Sequence, residues 1–449
     1  MLSKKVGRRL VLINPVNRHR AGLSINPSTR FPPLGLGVVA ALTPADWEIT
    51  IIDENVEPFT YQEADLVGLT AFTASAMRAY EIAQCYRAQG VRTVLGGIHA
   101  SMLPEEALRY VNTVVIGEAE GVWPKVIADF EVGNLQRFYQ GALSDLKNIP
   151  KPRHDLFHPS YMFDSIQTSR GCPMDCDFCS VTVFNGNQYR QRPVDEVLDE
   201  LEAVHKKKIF FVDDNIIGYG REATDRAVSL FKGIINRGIK KDWMCQASIN
   251  FADNDEVLAR AAQSGCRMVV LGIEAADIDA LSDVNKKMNL QRGIDSYEKS
   301  FRRINKHGIA VVGAFIYGVD SDTPEKIRQR TDYILTSGID VIQITALTPL
   351  PGTRLFDRLR QEGRLFYTDF PGDWVHYDMR EVIHRPLRIE PQELARALAA
   401  SARRLYSRRA QFFKFIKTWR TTWNLTTALW ALVSNRNYRN VASSRFKRF

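Results

Sequence analysis

The stretch TSRGCPMDCDFCSV puts Cys172, Cys176 and Cys179 on one short loop, half of the six cysteines in a chain of 449 residues. Thiolates so close together suit a metal. A structural zinc site takes four ligands, usually as two separated pairs, and the remaining cysteines stand singly: Cys85 in a helical pattern, Cys245 and Cys266 inside strand-like runs. Three thiolates at C-x3-C-x2-C can instead hold three corners of a [4Fe–4S] cube and leave the fourth iron open to a small molecule. Zinc remains the competing reading. Disulfides are disfavoured, because no charged-then-apolar leader opens the chain and no window reaches about 18 to 20 uninterrupted apolar residues, so a reducing cytosolic setting is expected.

The elements around the loop place it. From about residue 161, strand-like runs FDSIQTS, KIFFVDD, WMCQASI, RMVVLGIEA, IAVVGAFIYG and VIQITALTP alternate with helical stretches. Six βα units over 161–365 read as a (β/α) barrel two units short of eight, in which function gathers at the carboxyl ends of the strands. The cysteines follow the first strand directly.

Residues 1–135 carry a second alternating pattern, with RLVLINPV, EITIIDE, ADLVGLTAF, RTVLGGIHA and NTVVIGEAE as nearly continuous apolar runs. That is the signature of a doubly wound parallel sheet of flavodoxin or Rossmann type. Ligands of such sheets sit beyond the strand ends, here around residues 14–17, 70–75, 96–101 and 117–121, which are rich in Gly, Ser and Thr. The glycines there also suit plain tight turns, and no G-x-G-x-x-G fingerprint is present. Residues 136–160 read as a linker and 366–449 as a mainly helical accessory region.

The C-x3-C-x2-C spacing with an aromatic, Phe178, before the last cysteine resembles the radical S-adenosylmethionine (SAM) superfamily. The resemblance implies that Cys172, Cys176 and Cys179 hold a [4Fe–4S] cluster whose open iron binds SAM, and that reductive cleavage gives a 5′-deoxyadenosyl radical. It also implies SAM contacts at the later strand ends: Asp213, Asp214 and Asn215 in FFVDDN, Gln246 and Ser248 in WMCQASIN, Glu274 in LGIEA, and Gly313, Tyr317 and Gly318 in VVGAFIYG. Asp213 could equally cap the following helix. A flavodoxin or ferredoxin would supply the electron. A non-catalytic redox sensor would leave VDDN and GIEA without a purpose.

A flavodoxin-like domain ahead of such a barrel is similar to the cobalamin-dependent members, on the phrases PPLGLG, DLVGLTAFT, VLGGIHAS and VIGEAEG. Cobalamin is then expected against Thr70, Thr73, Ser75, Gly96, Gly97, His99, Gly117 and Glu118. The Asp-x-His-x-x-Gly ligand motif of methionine-synthase-type domains is replaced by Asn17-x-His19-x-x-Gly22, so His19 reads as a surface histidine and His99 as lining the corrin or its tail. The family chemistry implied is methylation of an unactivated carbon in a small molecule, with radical oxidative cyclisation as the alternative. Methylthiolation of tRNA is disfavoured, since those enzymes bring three more cysteines in the first domain.

The net charge of +9 comes from the tail: residues 401–449 hold 12 Lys or Arg and no Asp or Glu, leaving the first 400 residues at −3. Phe412, Ile416, Trp419, Trp423, Trp430 and Val433 recur on one helical face, with Lys414, Lys417 and Arg420 off it. Such a basic, Trp-bearing helix suits peripheral contact with the inner membrane surface, or packing on the protein's own body. A membrane-facing tail would favour a lipid or isoprenoid substrate. No nucleic-acid motif is present. Trp374, His376 and Tyr377 are candidate substrate contacts.

Overall fold

The computed structural model of the chain describes residues 7–17 and 31–443, with side chains to residue 440. It comprises two compact units, Met1–Ser165 with Tyr367–His376, and Ile166–Phe366 with Tyr377–Phe449.

In the first unit β1 (Arg9–Asn14), β2 (Glu48–Asp53), β3 (Leu66–Thr70), β4 (Arg92–Gly96), β5 (Thr113–Ile116) and β6 (Phe138–Gln140) form one sheet in the order β2-β1-β3-β4-β5-β6. All its pairings are parallel. The inner strands read as unbroken apolar runs because both faces are covered. Leu10 and Leu12 pack with Leu36, Trp47 and Trp123 on one side, while Val11 and Ile13 are equally buried on the other. Five strands match the sequence reading. The sixth, β6, lies inside the expected linker; three residues at a sheet edge are too few for any alternation to register.

β7 (Asp164–Ile166) spans the boundary and leads into the second unit, which carries a small antiparallel pair β8 (Ser169–Arg170) and β9 (Arg190–Gln191), then β10 (Lys208–Phe211), β11 (Asp242–Ala247), β12 (Cys266–Glu274), β13 (Ala310–Tyr317) and β14 (Val341–Ala346). The large sheet runs β14-β13-β12-β11-β10-β7, parallel from β10 to β14. This is the six-unit arrangement expected. Its core is apolar and aromatic, with Trp243 stacked on Phe231 at 5.2 Å and edge-on to Phe211 at 5.2 Å.

The C-terminal region is helical over Pro391–Leu405, Arg408–Thr422 and Leu425–Ser443. The stripe expected from Phe412 to Val433 is thus carried by two helices. Trp423, at φ 50°, ends the first, and the Asn424 side chain accepts from the Thr427 N–H at 3.1 Å to start the second. Among the described residues no helix is long and apolar enough to cross a membrane.

Candidate active site

The cysteine loop is built from the end of β7. Asp213, just after β10, has no exposed surface and aims both oxygens back at the turn before the loop. Its Oδ1 accepts from the N–H groups of Thr168 (2.6 Å) and Ser169 (2.7 Å), and its Oδ2 from the Thr168 hydroxyl (2.9 Å). Burial raises its carboxyl to about 6 against the pull of those donors and of the Arg226 charge. Asp213 therefore presents no free carboxylate to SAM and caps no helix; it fixes the strand-to-loop turn. Gly171 follows with φ +86°, where a Cβ would lie 2.2 Å from the Gln188 carbonyl oxygen, so no side chain fits there.

Beyond Gly171 the three thiols are half-buried and near enough to influence one another's ionisation. Burial pushes all three thiols up, Cys176 to about 11. The loop between them is clamped from later in the chain. Arg354 donates to Asp175 Oδ1 at 2.6 Å and to Asp177 Oδ1 at 2.7 Å, and the Asn285 amide reaches the Asp175 carbonyl at 2.6 Å. Phe178 packs against the small core of Ala275, Leu281 and Val284.

Behind the thiols lies a buried ion pair. Lys286 Nζ meets Glu274 Oε1 at 2.7 Å. Burial alone would lower the ammonium's pKa, but the charges of Glu274, Cys176 and Cys179 hold it above its ordinary value. Glu274 ends β12 with φ +62° just past a register shift, a conformation that turns its side chain out of the strand's alternation. Lys286 was not singled out in the sequence, where VNKKMN reads only as a basic pair. Among the described residues no three His, Cys, Asp or Glu side chains are gathered around a single ion. Three thiols on one fixed loop, with a buried cation to offset thiolate charge, fit a cluster that takes three protein ligands.

The other expected SAM contacts divide. Asp214 stands beside the loop, its Oδ2 accepting from the Asn185 amide (3.0 Å) and the Gly171 N–H (3.3 Å), and Gln246 and Ser248 are half-exposed at the end of β11. Asn215 is buried and bonded to Gly218 and Ser248. Gly313, Tyr317 and Gly318 are held within the fold. A Cβ on Gly313 would come 2.8 Å from Ile339, Tyr317 is fully buried 5.2 Å beneath Arg330, and Gly318 at φ +100° is tied to Asp322 and His384.

In the first unit the strand ends form a compact rim. Gly97 (φ +87°) lies against Thr70, whose hydroxyl a Cβ would meet at 2.5 Å, and Gly117 (φ +78°) against the Gly141 carbonyl. Ser101 Oγ joins them, donating to the Gly97 carbonyl and accepting from the Gly117 N–H, each at 2.9 Å. Gly96 closes β4 beside them. Glu118 is turned to the Ser144 N–H at 2.7 Å. Thr73 and Ser75 are buried in the turn after β3, and Phe72 beside them is 72 % exposed. Backbone brought this close without side chains, beside an exposed aromatic, fits a broad flat ligand such as a corrin.

His99 departs from expectation. It has no exposed surface, and its Nε2 lies 3.1 Å from the Tyr80 hydroxyl and 3.3 Å from Glu106 Oε1. Trp374 completes that cluster, its indole N–H donating to Glu106 at 2.9 Å and its ring stacked on Phe370 at 3.7 Å. Burial would raise the Glu106 carboxyl, but hydrogen bonds from His99 and Trp374 hold it below its usual range. Trp374 is accordingly an internal anchor of the first unit and no substrate contact. His376 stacks on Tyr367 at 3.8 Å in the same segment, and Tyr377 is buried in the second unit near Phe356. Asn17 is buried with its amide on the Val375 carbonyl at 2.8 Å; His19 and Gly22 lie outside the described residues.

Residues 22–127 match the B12 binding domain and residues 166–370 the Radical SAM superfamily. The chain is 29 % identical over 425 residues to the bacteriochlorophyllide d C-12(1)-methyltransferase of Chlorobaculum tepidum, covering 90 % of this chain and 88 % of that one. It is 29 % identical over 389 residues to the hopanoid C-2 methylase of Rhodopseudomonas palustris, covering 82 % and 73 %. Among solved structures, the cobalamin-dependent SAM radical enzyme OxsB with aqua-cobalamin and SAM bound superimposes with a TM-score of 0.70 at 13 % identity, over 97 % of this chain and 79 % of that one. These likenesses place a class of protein: a B12-binding domain joined to a radical SAM domain. The chain carries both domains and is homologous to cobalamin-dependent radical SAM methyltransferases, and the two domains call for a [4Fe–4S] cluster, SAM and cobalamin as cofactors.

Proposed function

We propose that this enzyme methylates an unactivated carbon of a large, mostly apolar small molecule. The observation that carries the reading is the presence on one chain of the three-thiol loop after β7 and β8 and of a B12 binding domain over residues 22–127. When bound, the cluster supplies the electron that opens SAM to a carbon-centred radical, and cobalamin supplies the methyl carrier.

The chain's own residues bind and position. Cys172, Cys176 and Cys179 hold three irons, and the Arg354 clamp with the Asp213 turn keeps their loop in place. Lys286 offsets the negative charge that three thiolates bring, and Glu274 holds Lys286. Asp214, Gln246 and Ser248 remain at the strand ends as the groups to meet SAM. Gly96, Gly97 and Gly117, with Thr70 and the exposed Phe72, offer the corrin a flat seat.

The substrate class rests on the relatives, whose names give a bacteriochlorophyllide and a hopanoid as substrates. An external donor such as flavodoxin or ferredoxin would reduce the cluster, and the basic tail would bring the enzyme to a membrane surface. The test is anaerobic reconstitution with iron, sulfide and cobalamin, then reduction in the presence of SAM and mass analysis. Methyl transfer calls for both 5′-deoxyadenosine and S-adenosylhomocysteine. Deoxyadenosine alone would sink methylation and leave a radical enzyme of the cyclising kind.

A further inference from the structure

The helix Arg408–Thr422 is amphipathic the wrong way round. Its inward side is polar: Gln411, Lys414, Thr418 and Thr422 are all buried. Lys414 Nζ donates to the Ile339 carbonyl at 2.7 Å, Thr418 Oγ1 to Asp340 Oδ1 at 2.7 Å, and Lys417 Nζ to the same oxygen at 2.8 Å. Asp340 is fully buried and also accepts from Asn305 and the Val311 N–H, so the helix docks by bringing its hydroxyls and cations to a buried acid.

The apolar side is left facing out. Phe412, Phe413, Trp419 and Trp423 are 60, 57, 47 and 88 % exposed. The following helix prolongs the patch with Leu425, Leu429 and Val433. Contiguous exposed apolar surface of this kind marks an interaction site. Around it lie exposed Arg408, Arg409, Arg420 and Arg436, and residues 401–449 hold no acid at all. Beside Phe413 an open groove of about 890 Å³ is lined by Arg403, Arg409 and Ser407.

We propose that the outward face of the hairpin Arg408–Ser443 docks on an anionic phospholipid bilayer, with its aromatic side chains at headgroup depth and Arg403 and Arg409 receiving lipid phosphates at the groove. Indole and phenyl rings flanked by arginines match the interfacial layer, where a ring finds apolar chains and a cation finds phosphate. A second copy of the chain is the poorer occupant, because two such faces would bring like charges together with no acid on either. The inference rests on this surface alone and stands apart from the reading of the catalytic site.

The test is co-sedimentation of the full reconstituted chain with phosphatidylcholine vesicles, with and without phosphatidylglycerol, alongside sedimentation velocity without lipid. Binding is expected only with phosphatidylglycerol, weakening as salt rises. Trp419→Ser with Trp423→Ser should reduce partitioning by about tenfold or more, and Arg403→Gln and Arg409→Gln by about fivefold each. Iron content and 5′-deoxyadenosine formation should not change in any of them. Equal binding to both vesicles, or variants that bind like the parent, would overturn the proposal. So would a lipid-free dimer that the Trp pair dissociates, which would assign the face to a second copy.

Discussion

Asp213 was expected at SAM and is found holding the turn before the cysteine loop, and Asp213→Ala separates the two roles. The substitution leaves the Thr168 and Ser169 N–H groups and the Thr168 hydroxyl without their acceptor in a site with no solvent exposure. Each orphaned donor costs about 1–3 kcal/mol. Arg226, which donates to the Thr168 hydroxyl at 2.8 Å, also loses its nearby counter-charge. With partial relaxation the loss should reach about 3–5 kcal/mol, as when one member of a buried charged pair is removed. That is a large fraction of the roughly 5–15 kcal/mol that stabilises a domain. Asp213→Asn keeps one oxygen for the two N–H groups and should lose about 1–2 kcal/mol. The assays are urea unfolding of the apo chain, iron per chain after reconstitution, and SAM affinity of the loaded fraction. The clamp role calls for a lower urea midpoint and less iron, with SAM bound normally by whatever fraction loads. An Ala variant of parental stability that loads iron fully but binds SAM about tenfold more weakly would place Asp213 at SAM instead of at the turn.

Three further outcomes follow from the same structure. Asp322→Ala should lose about 3–5 kcal/mol in urea melts, because Asp322 meets Arg330 at 2.6 Å with both side chains almost wholly buried, and the guanidinium would be left in the core. Lys414 is lowered by burial to about 8, below its ordinary 10.5. Between those values the unfolded chain binds more protons than the folded one, so this residue's contribution to stability rises with pH from about 8 to 10.5, by up to about 3 kcal/mol. The difference between the parent and Lys414→Met in thermal melts across that window should show it. Lys286→Met should lower the cluster's reduction potential: with a cation removed beside the thiols the cluster becomes harder to reduce, read by redox titration with SAM absent.

The elements legible in the sequence were those whose pattern has one physical meaning. Parallel strands covered on both faces must be continuously apolar, which exposed β3, β4, β5 and β10 to β14. The cysteine spacing has few other uses. Direction and distance were not legible. A helical stripe from Phe412 to Trp423 says which residues share a face, while only the buried Asp340 decides that the opposite face turns inward. Trp374 looked like a substrate contact because its partner, Glu106, is 268 positions away. Gly313 looked like a ligand contact, yet its missing side chain makes room for Ile339. Lys286 carried no signal beyond its charge, because its pairing depends on the turned-out backbone at Glu274.

The most direct test of the account is SAM cleavage by the parent and by Cys172→Ala, each reconstituted anaerobically with iron, sulfide and cobalamin and reduced with dithionite. 5′-Deoxyadenosine is expected from the parent and none from the variant, while both retain cobalamin by its visible absorption. Cleavage that survives in the variant, or a parent that binds no cobalamin, would contradict it.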